Sequence, residues 1–529
     1  MENRVIVVGA GTMGTGIALV AARAGCGVQV IEPDSQARER GIARTQKNAA
    51  RLNADAAAAS IVWSDRIPER SDATIAIEAV PERFDLKREV FGALAEALAP
   101  KALLATNTSS LCVQDLADVT PNAERVVGMH FFNPPISMEL VEIVASAQTS
   151  QEALDRARAF VAQIGKSAVF AADTPGFIVN RVARPFYLQS LRALEAGVAA
   201  AEELDALARC VGFRMGPFEL MDLIGMDVNA STSDSIYERL QAPRLAPVEL
   251  QRRMVQEGRL GRKSGSGFYD YSQGPPERLD LTPEENVGEP DNDERIVLIG
   301  FGGVADEMAE LLQERYAHIE RIEHDEFMDT ISADTTIAID VGDGITDRGD
   351  ILAQLDSVLA PEAVIFADAY ATEMEAVAGA FAHPERLVGY GIVGSLQNQG
   401  AVEIVDSPEV SDDALALAQE LFASMGKGVV LVEPAPGLYL GRVIASIVNE
   451  AVIAVHEEVA SPDDIDLAMR LGVNYPIGPI AWGREIGGAR VARILHRVAD
   501  AQGSQFAPNR ALWVLDVDPA EEATGDAGA

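Results

Sequence analysis

His130 and Glu142 form a histidine–carboxylate pair set in two short apolar runs, within Gly128-Met-His-Phe-Phe-Asn-Pro-Pro-Ile-Ser-Met-Glu-Leu-Val-Glu142. A neutral imidazole accepts a proton near neutral pH. A carboxylate on its other ring nitrogen fixes the tautomer and stabilises the imidazolium that forms. Taken alone, such a histidine is more often part of a packed core than a proton-transfer site. The passage returns as Gly389-Tyr-Gly-Ile-Val-Gly-Ser-Leu-Gln-Asn-Gln-Gly-Ala-Val-Glu403, 261 positions on, with Glu403 for Glu142 but Gly391 for His130. One copy keeps a titrating group and the other has lost it.

A second constellation opens the chain. The apolar run Arg4 to Val8 leads into Gly9-Ala-Gly11-Thr12-Met13-Gly14, a helical pattern follows, and a second apolar run, Val28 to Ile31, ends at Glu32. Strand, glycine turn, helix, strand and acid is the arrangement of a dinucleotide-binding unit. Gly9 allows the tight turn, Gly11 lets the backbone approach a pyrophosphate, and Gly14 permits close helix–strand packing. The helix N-terminus offers N–H groups to phosphate. A carboxylate at Glu32 accepts hydrogen bonds from ribose hydroxyls and repels a 2′-phosphate, which favours NAD over NADP. Arg38 and Arg40 lie nearby but in the next helix. A polar turn, Asn107-Thr-Ser109-Ser-Leu, follows a later strand, where open α/β sheets place ligands.

The elements that must position these groups read as strands at 73–80, 102–106, 126–131 and 140–144, with helical segments between. Residues 35–60 form an alanine-rich helical excursion carrying Arg44, Lys47 and Arg51, longer than an ordinary connection. It reads equally as a solvated helix pair or as a ligand-contacting one. Residues 175–270 read as helical, and Phe177, Phe186, Tyr187 and Phe218 in them as core.

At 529 residues, several domains are expected. The hydrophobic share of 48% and charged share of 23% fit a globular chain. The net charge of −38 disfavours nucleic acid or anionic membrane as partner. Cys26, Cys112 and Cys210 are widely spaced, against a disulfide framework or a zinc site. The first residues enter a strand at once and no apolar run spans a bilayer, so no signal peptide, no membrane anchoring and a cytoplasmic location are expected.

Gly9–Gly14, Asn107–Leu111, His130–Glu142, Asp173-Thr-Pro-Gly-Phe-Ile-Val-Asn180-Arg and Leu260-Gly-Arg-Lys-Ser-Gly-Ser-Gly-Phe-Tyr-Asp-Tyr271 occur in that order. Together they resemble the L-3-hydroxyacyl-CoA dehydrogenase family across residues 1–272. The resemblance implies NAD-linked interconversion of an L-3-hydroxyacyl-CoA and its 3-oxo form, with His130 as base, Glu142 orienting it, and Ser109 and Asn180 at the substrate oxygen. It implies NAD contacts at Glu32, Glu82, Lys87, Ser109 and Asn133 beside the glycine turn. Lys47 is a candidate for CoA. The chemistry is coherent: a base takes the hydroxyl proton while hydride leaves the carbon for the nicotinamide. Two other readings are a related NAD-linked dehydrogenase of a free hydroxy or sugar acid, similar to lambda-crystallin, and a non-catalytic nucleotide-binding scaffold.

The second half repeats the first. Gly9 and Gly11 return as Gly300 and Gly302, offset 291, while Gly14 becomes Ala305. Farther on the offset is 261, and the difference of 30 residues is placed between Glu323 and Ser332, where the helical excursion would stand. Ser109 maps to Tyr370, His130 to Gly391 and Asn180 to Gly441. The expected architecture is α/β, a Rossmann-type dinucleotide-binding domain (1–174) plus an all-α helical domain (175–272), followed by a degenerate repeat of both. The repeat comprises a linker (273–294), a degenerate Rossmann-like domain (295–434), a second helical domain (435–515) and a disordered tail (516–529). Because family members commonly dimerise through the helical domain, the repeat is expected to act as a built-in partner, giving a pseudo-dimer, or else the chain forms a homo-oligomer.

Overall fold

The apolar runs become two separate, mostly parallel sheets. The computed structural model describes residues 3–283, 293–323, 330–342, 348–370 and 372–516. Residues 284–292 of the expected linker and the tail beyond Asp516 lie outside the described residues.

The first sheet contains β1 (Arg4–Val8), β2 (Gly27–Ile31), β3 (Val62–Ser64), β4 (Ile75–Glu78), β5 (Leu103–Thr106), β6 (Val126–Phe131), β7 (Leu140–Ala145) and β8 (Ser167–Ala172), in the order β3-β2-β1-β4-β5-β6-β7-β8. Only the β6–β7 pairing is antiparallel. Helices cover both faces of such a sheet, so its strands are apolar throughout rather than alternating; β4, β5 and β6 are buried along their whole length. The helix after the glycine turn, Thr12–Arg23, is buried at every residue from Gly14 to Ala22. Gly9 has φ +109°, and a Cβ on it would stand 2.6 Å from Ala79 O. The helical excursion is a pair, Ser35–Arg51 and Asp55–Ser60, the first capped by Asp34, whose side chain accepts from Ala37 N at 2.6 Å. It feeds β3, a partly exposed edge strand whose short Val-Trp-Ser run carries no alternation to announce it.

The second sheet contains β9 (Arg295–Ile299), β10 (His318–Ile322), β11 (Ile337–Asp340), β12 (Val364–Asp368), β13 (Leu387–Gly391), β14 (Ala401–Val405) and β15 (Gly428–Val432). Among the described residues its order, β10-β9-β11-β12-β13-β14-β15, is that of the first sheet without a β3. Strand register corrects the expected gap. Val5 pairs with Ile75 and Ile296 with Ile337, so the offset moves from 291 to 262 across the missing segment. Ala76 pairs with Leu104 and Ala338 with Ile365, so it falls to 261 only after β11. Twenty-nine residues are missing before β11 and one after it.

Contacts group the chain into two compact units that cut across the sequence domains. Unit 1 is Met1–Val182, Glu238–Gln241 and Ala454–Asn474; unit 2 is Ala183–Tyr237, Ala242–Ile453 and Tyr475–Ala529. Within unit 1, the second copy's helix Pro462–Val473 packs on β7, β8 and the short helix Val179–Val182, and Ala172 N donates to Val459 O at 2.8 Å. Within unit 2, the first copy's helix Ala201–Cys210 packs on β14, and Glu433 N donates to Val198 O at 2.9 Å. With the offset of 261, Ala172 corresponds to Glu433 and Val198 to Val459. Each copy lends the other the same hydrogen bond.

Candidate active site

The antiparallel pairing of β6 and β7 makes His130 and Glu142 direct cross-strand partners. Their side chains meet at 2.6 Å, His130 Nδ1 to Glu142 Oε2. Glu142 is fully buried and His130 is 7% exposed. The other carboxylate oxygen, Oε1, accepts from Ile178 N at 3.1 Å and Val179 N at 2.9 Å. The backbone arrives there through Phe177, held at φ +49°, whose ring lies 5.8 Å from the imidazole. Phe132 flanks the imidazole at 4.6 Å. The carboxylate is thus fixed by three donors, and with Nδ1 engaged, Nε2 is the nitrogen left to exchange a proton.

Asn180 follows directly in the short helix Val179–Val182 and is half-buried. Ser109 is exposed on the turn after β5. That turn is tied down by Glu82, whose Oε1 accepts from Ser109 N and Ser110 N, both at 3.1 Å, from Ser110 Oγ at 3.0 Å, and from Thr108 Oγ1. Burial opposes the charge on Glu82, but Lys87 and the hydrogen bonds from Thr108 and Ser110 outweigh it and hold the carboxyl below its ordinary range. Asn133, exposed, follows β6. Asn107 Oδ1 accepts from Phe131 N at 2.9 Å and joins the ends of β5 and β6.

Lys87, expected among the NAD contacts, is buried beside Glu82. It is 1% exposed, and its Nζ bonds both oxygens of Glu78, at 2.8 and 2.9 Å, with Glu82 Oε2 at 3.1 Å. The second copy keeps this buried pair with the lengths exchanged, as Asp340 and Arg348. It keeps the pair without keeping the histidine.

A cavity of about 690 Å³ opens at the glycine turn, lined by Gly9, Gly11, Thr12, Met13, Glu32 and Pro81 among others. Gly14 lies beneath it, where a Cβ would stand 2.0 Å from Gly9 O. Glu32 Oε2 accepts from Ala10 N at 3.0 Å, which ties the acid after β2 to the glycine turn. These residues fit NAD. Arg40 and Arg44 also line the cavity, and Arg44 Nη1 donates to Ala10 O at 3.2 Å, whereas Lys47 is exposed and lines none of it. The signal for the two arginines was their spacing of four on one helix, which puts them on one face.

The second copy explains its own losses. Tyr370 Oη donates to Glu403 Oε2 at 2.6 Å, and Glu403 accepts from Tyr439 N at 2.7 Å and Leu440 N at 3.1 Å, as Glu142 does from Ile178 and Val179. A Cβ on Gly391 would stand 2.6 Å from Tyr370 Cε1, and one on Gly441 2.9 Å from Tyr370 Cδ1. The three replacements are therefore one coupled change: a phenol ring occupies the imidazole's place, and two glycines make room. The turn differs as well. Gly302 has φ +112° where Gly11 has φ −68°, and the buried Ala305 fills the place of Gly14.

A glycine turn on β1, an acid after β2 and a cavity at the ends of the parallel strands form a dinucleotide-binding unit of the kind that NAD-dependent oxidoreductases carry. The model of the 3-hydroxyacyl-CoA dehydrogenase NAD-binding domain matches residues 4–174 and 304–435, and that of the C-terminal domain matches 176–271 and 437–527. The chain belongs to the 3-hydroxyacyl-CoA dehydrogenase family. It is 34% identical to a 3-hydroxyadipyl-CoA dehydrogenase of Escherichia coli, over 95% of this chain and 94% of that one. It is 39% identical to a 3-hydroxybutyryl-CoA dehydrogenase of Mycobacterium tuberculosis, over 51% of this chain and 98% of the relative. A crystal structure of 3-hydroxybutyryl-CoA dehydrogenase from Escherichia coli K12 superposes with a TM-score of 0.76 at 32% identity, covering 97% of this chain and 98% of that one.

Proposed function

We propose that this NAD-dependent 3-hydroxyacyl-CoA dehydrogenase works through His130 as general base, oriented by Glu142, on a short L-3-hydroxyacyl-CoA, forming the 3-oxoacyl-CoA or running in reverse. The 2.6 Å contact between His130 Nδ1 and a carboxylate bracketed by two backbone N–H groups carries the reading. In the oxidative direction His130 Nε2 takes the hydroxyl proton and Glu142 stabilises the imidazolium. The turn of Gly9 to Gly14 and Glu32 would hold NAD, which when bound would supply the hydride acceptor. Ser109 and Asn180 hold the substrate oxygen through bonds that strengthen as charge develops. The relatives named for adipyl and butyryl esters support a short acyl chain.

The test follows NADH oxidation with acetoacetyl-CoA and 3-oxoadipyl-CoA in parallel, with His130→Ala as the blank. Turnover of either ester, lost in the variant, is the expected result. Failure with both, NADH binding retained, would transfer the proposal to a free hydroxy acid.

The second copy is, on this reading, an internal partner. The reciprocal bonds Ala172–Val459 and Glu433–Val198 support it, since a self-complementary pairing repeats each contact with the roles of the copies exchanged.

A further inference from the structure

Glu142 is placed only as well as the backbone around it, which is β7 and the first turn of Val179–Val182. Within unit 1 both are backed by the second copy. Leu140 stands two residues before Glu142 on β7 and therefore on the same face. Val179 gives Glu142 its N–H at 2.9 Å. Both side chains are buried against Gly472, near the end of helix Pro462–Val473. A Cβ there would stand 2.8 Å from Leu140 Cδ2 and 3.0 Å from Val179 Cγ2. Helix propensity alone favours alanine at such a position, so the glycine answers to packing. Arg181, directly after Asn180, is 1% exposed and forms an ion pair with Glu457 at 2.7 Å.

The counterpart positions, offset by 261, are built differently. Gly472 corresponds to Val211, Leu140 to Ala401, Val179 to Leu440 and Glu457 to Ala196. In the copy without the histidine, the strand residue is small, the helix residue is large, and no carboxylate stands in Glu457's position. The fine fit and the ion pair both belong to the copy that holds His130 and Glu142.

We infer that Gly472 and Glu457 are positioning residues for the His130–Glu142 pair: the second copy sets the backbone on which the carboxylate and Asn180 are carried. The inference rests on His130 and Glu142 being the acting pair.

The test uses full-length protein, with kcat, KM for NADH and for acetoacetyl-CoA, and thermal midpoint measured together. Because a misplacement of about 1 Å can cost roughly 100-fold, Gly472→Val is expected to lower kcat at least about tenfold. Its KM for NADH is expected to stay unchanged. Adding Leu140→Ala, which copies the Ala401–Val211 combination, should recover most of the kcat. Glu457→Gln, at a half-exposed side chain that tolerates the change, should lower kcat by about threefold or more with KM for NADH retained; it decides the matter alone if Gly472→Val does not fold. Unchanged kcat in both variants would overturn the inference, as would losses of kcat, NADH affinity and thermal midpoint together that Leu140→Ala does not restore. Activity surviving in His130→Ala would instead remove the reading beneath it.

Discussion

At the scale of single residues, the site divides into groups that exchange protons and groups that hold them. His130→Ala removes the proposed base and is expected to lose about 10²- to 10⁴-fold in turnover while still binding NADH, measured by steady-state kinetics and NADH fluorescence. Glu142→Gln should lose a comparable amount, and Ser109→Ala less, since it deletes one hydrogen bond. Lys87 tests the holding role. Its ammonium is enclosed by Glu78 and Glu82, so Lys87→Met leaves a buried carboxylate without its cation and should cost about 3–5 kcal/mol in urea unfolding. Replacing the pair as Glu78→Asp with Lys87→Arg copies Asp340–Arg348 and should recover most of that loss. The meeting of His130 with Glu142 and of Glu32 with the glycine turn was legible, because each sits in a pattern whose spacing implies its neighbours. The burial of Lys87 was not, since a lysine nine residues after a strand acid gives no sign of which carboxylate it meets.

At the scale of elements, most strands of the first sheet and the large gap in the repeat were legible, and the exact split of that gap was not. Apolar runs located six of the eight strands of the first sheet; β8 was not among them, and β3 is too short and too exposed to show alternation. The one-residue shift after β11 appears only in the pairing register. The coupling among Tyr370, Gly391 and Gly441 was likewise hidden, because three separate losses in sequence are one packing solution in space. That solution has a pH signature. Burial pushes the Glu403 carboxyl up to about 7, against hydrogen bonds from Tyr370, Tyr439 N and Leu440 N. An unfolded glutamate titrates near ~4.3, so above that value the unfolded chain releases a proton that the folded chain keeps. The contribution is full below the unfolded value and is lost as pH rises through about 7. Tyr370→Phe removes a hydrogen bond that favours the carboxylate, raises the folded value further and extends the loss upward. Its destabilisation should therefore be larger at about pH 9 than at about pH 6, read from thermal midpoints of variant and parent in matched buffers. An equal cost at both would mean that Tyr370 does not govern the ionisation of Glu403.

At the scale of the whole molecule, the duplication was visible in sequence, but the exchange was not: repeats announce themselves by offset, whereas which helix covers which sheet depends on long-range packing. The exchange predicts how the first half behaves alone. A chain ending after Ser272 loses helix Pro462–Val473 from β7 and β8, uncovers Leu140 and Val179, and takes Glu457 from Arg181. It retains the helix Ala201–Cys210, which is the counterpart of Pro462–Val473, so two such fragments can cover one another. The cover is imperfect, because Val211 then arrives at Leu140 where the full chain has Gly472 and Ala196 arrives at Arg181 where it has Glu457. The fragment is expected to sediment as a concentration-dependent dimer, to bind NADH, and to turn over more slowly than the full chain at equal site concentration. Adding Leu140→Ala to it should tighten the dimer and raise kcat, whereas a stable monomer with full activity would show that the second copy is dispensable for the first.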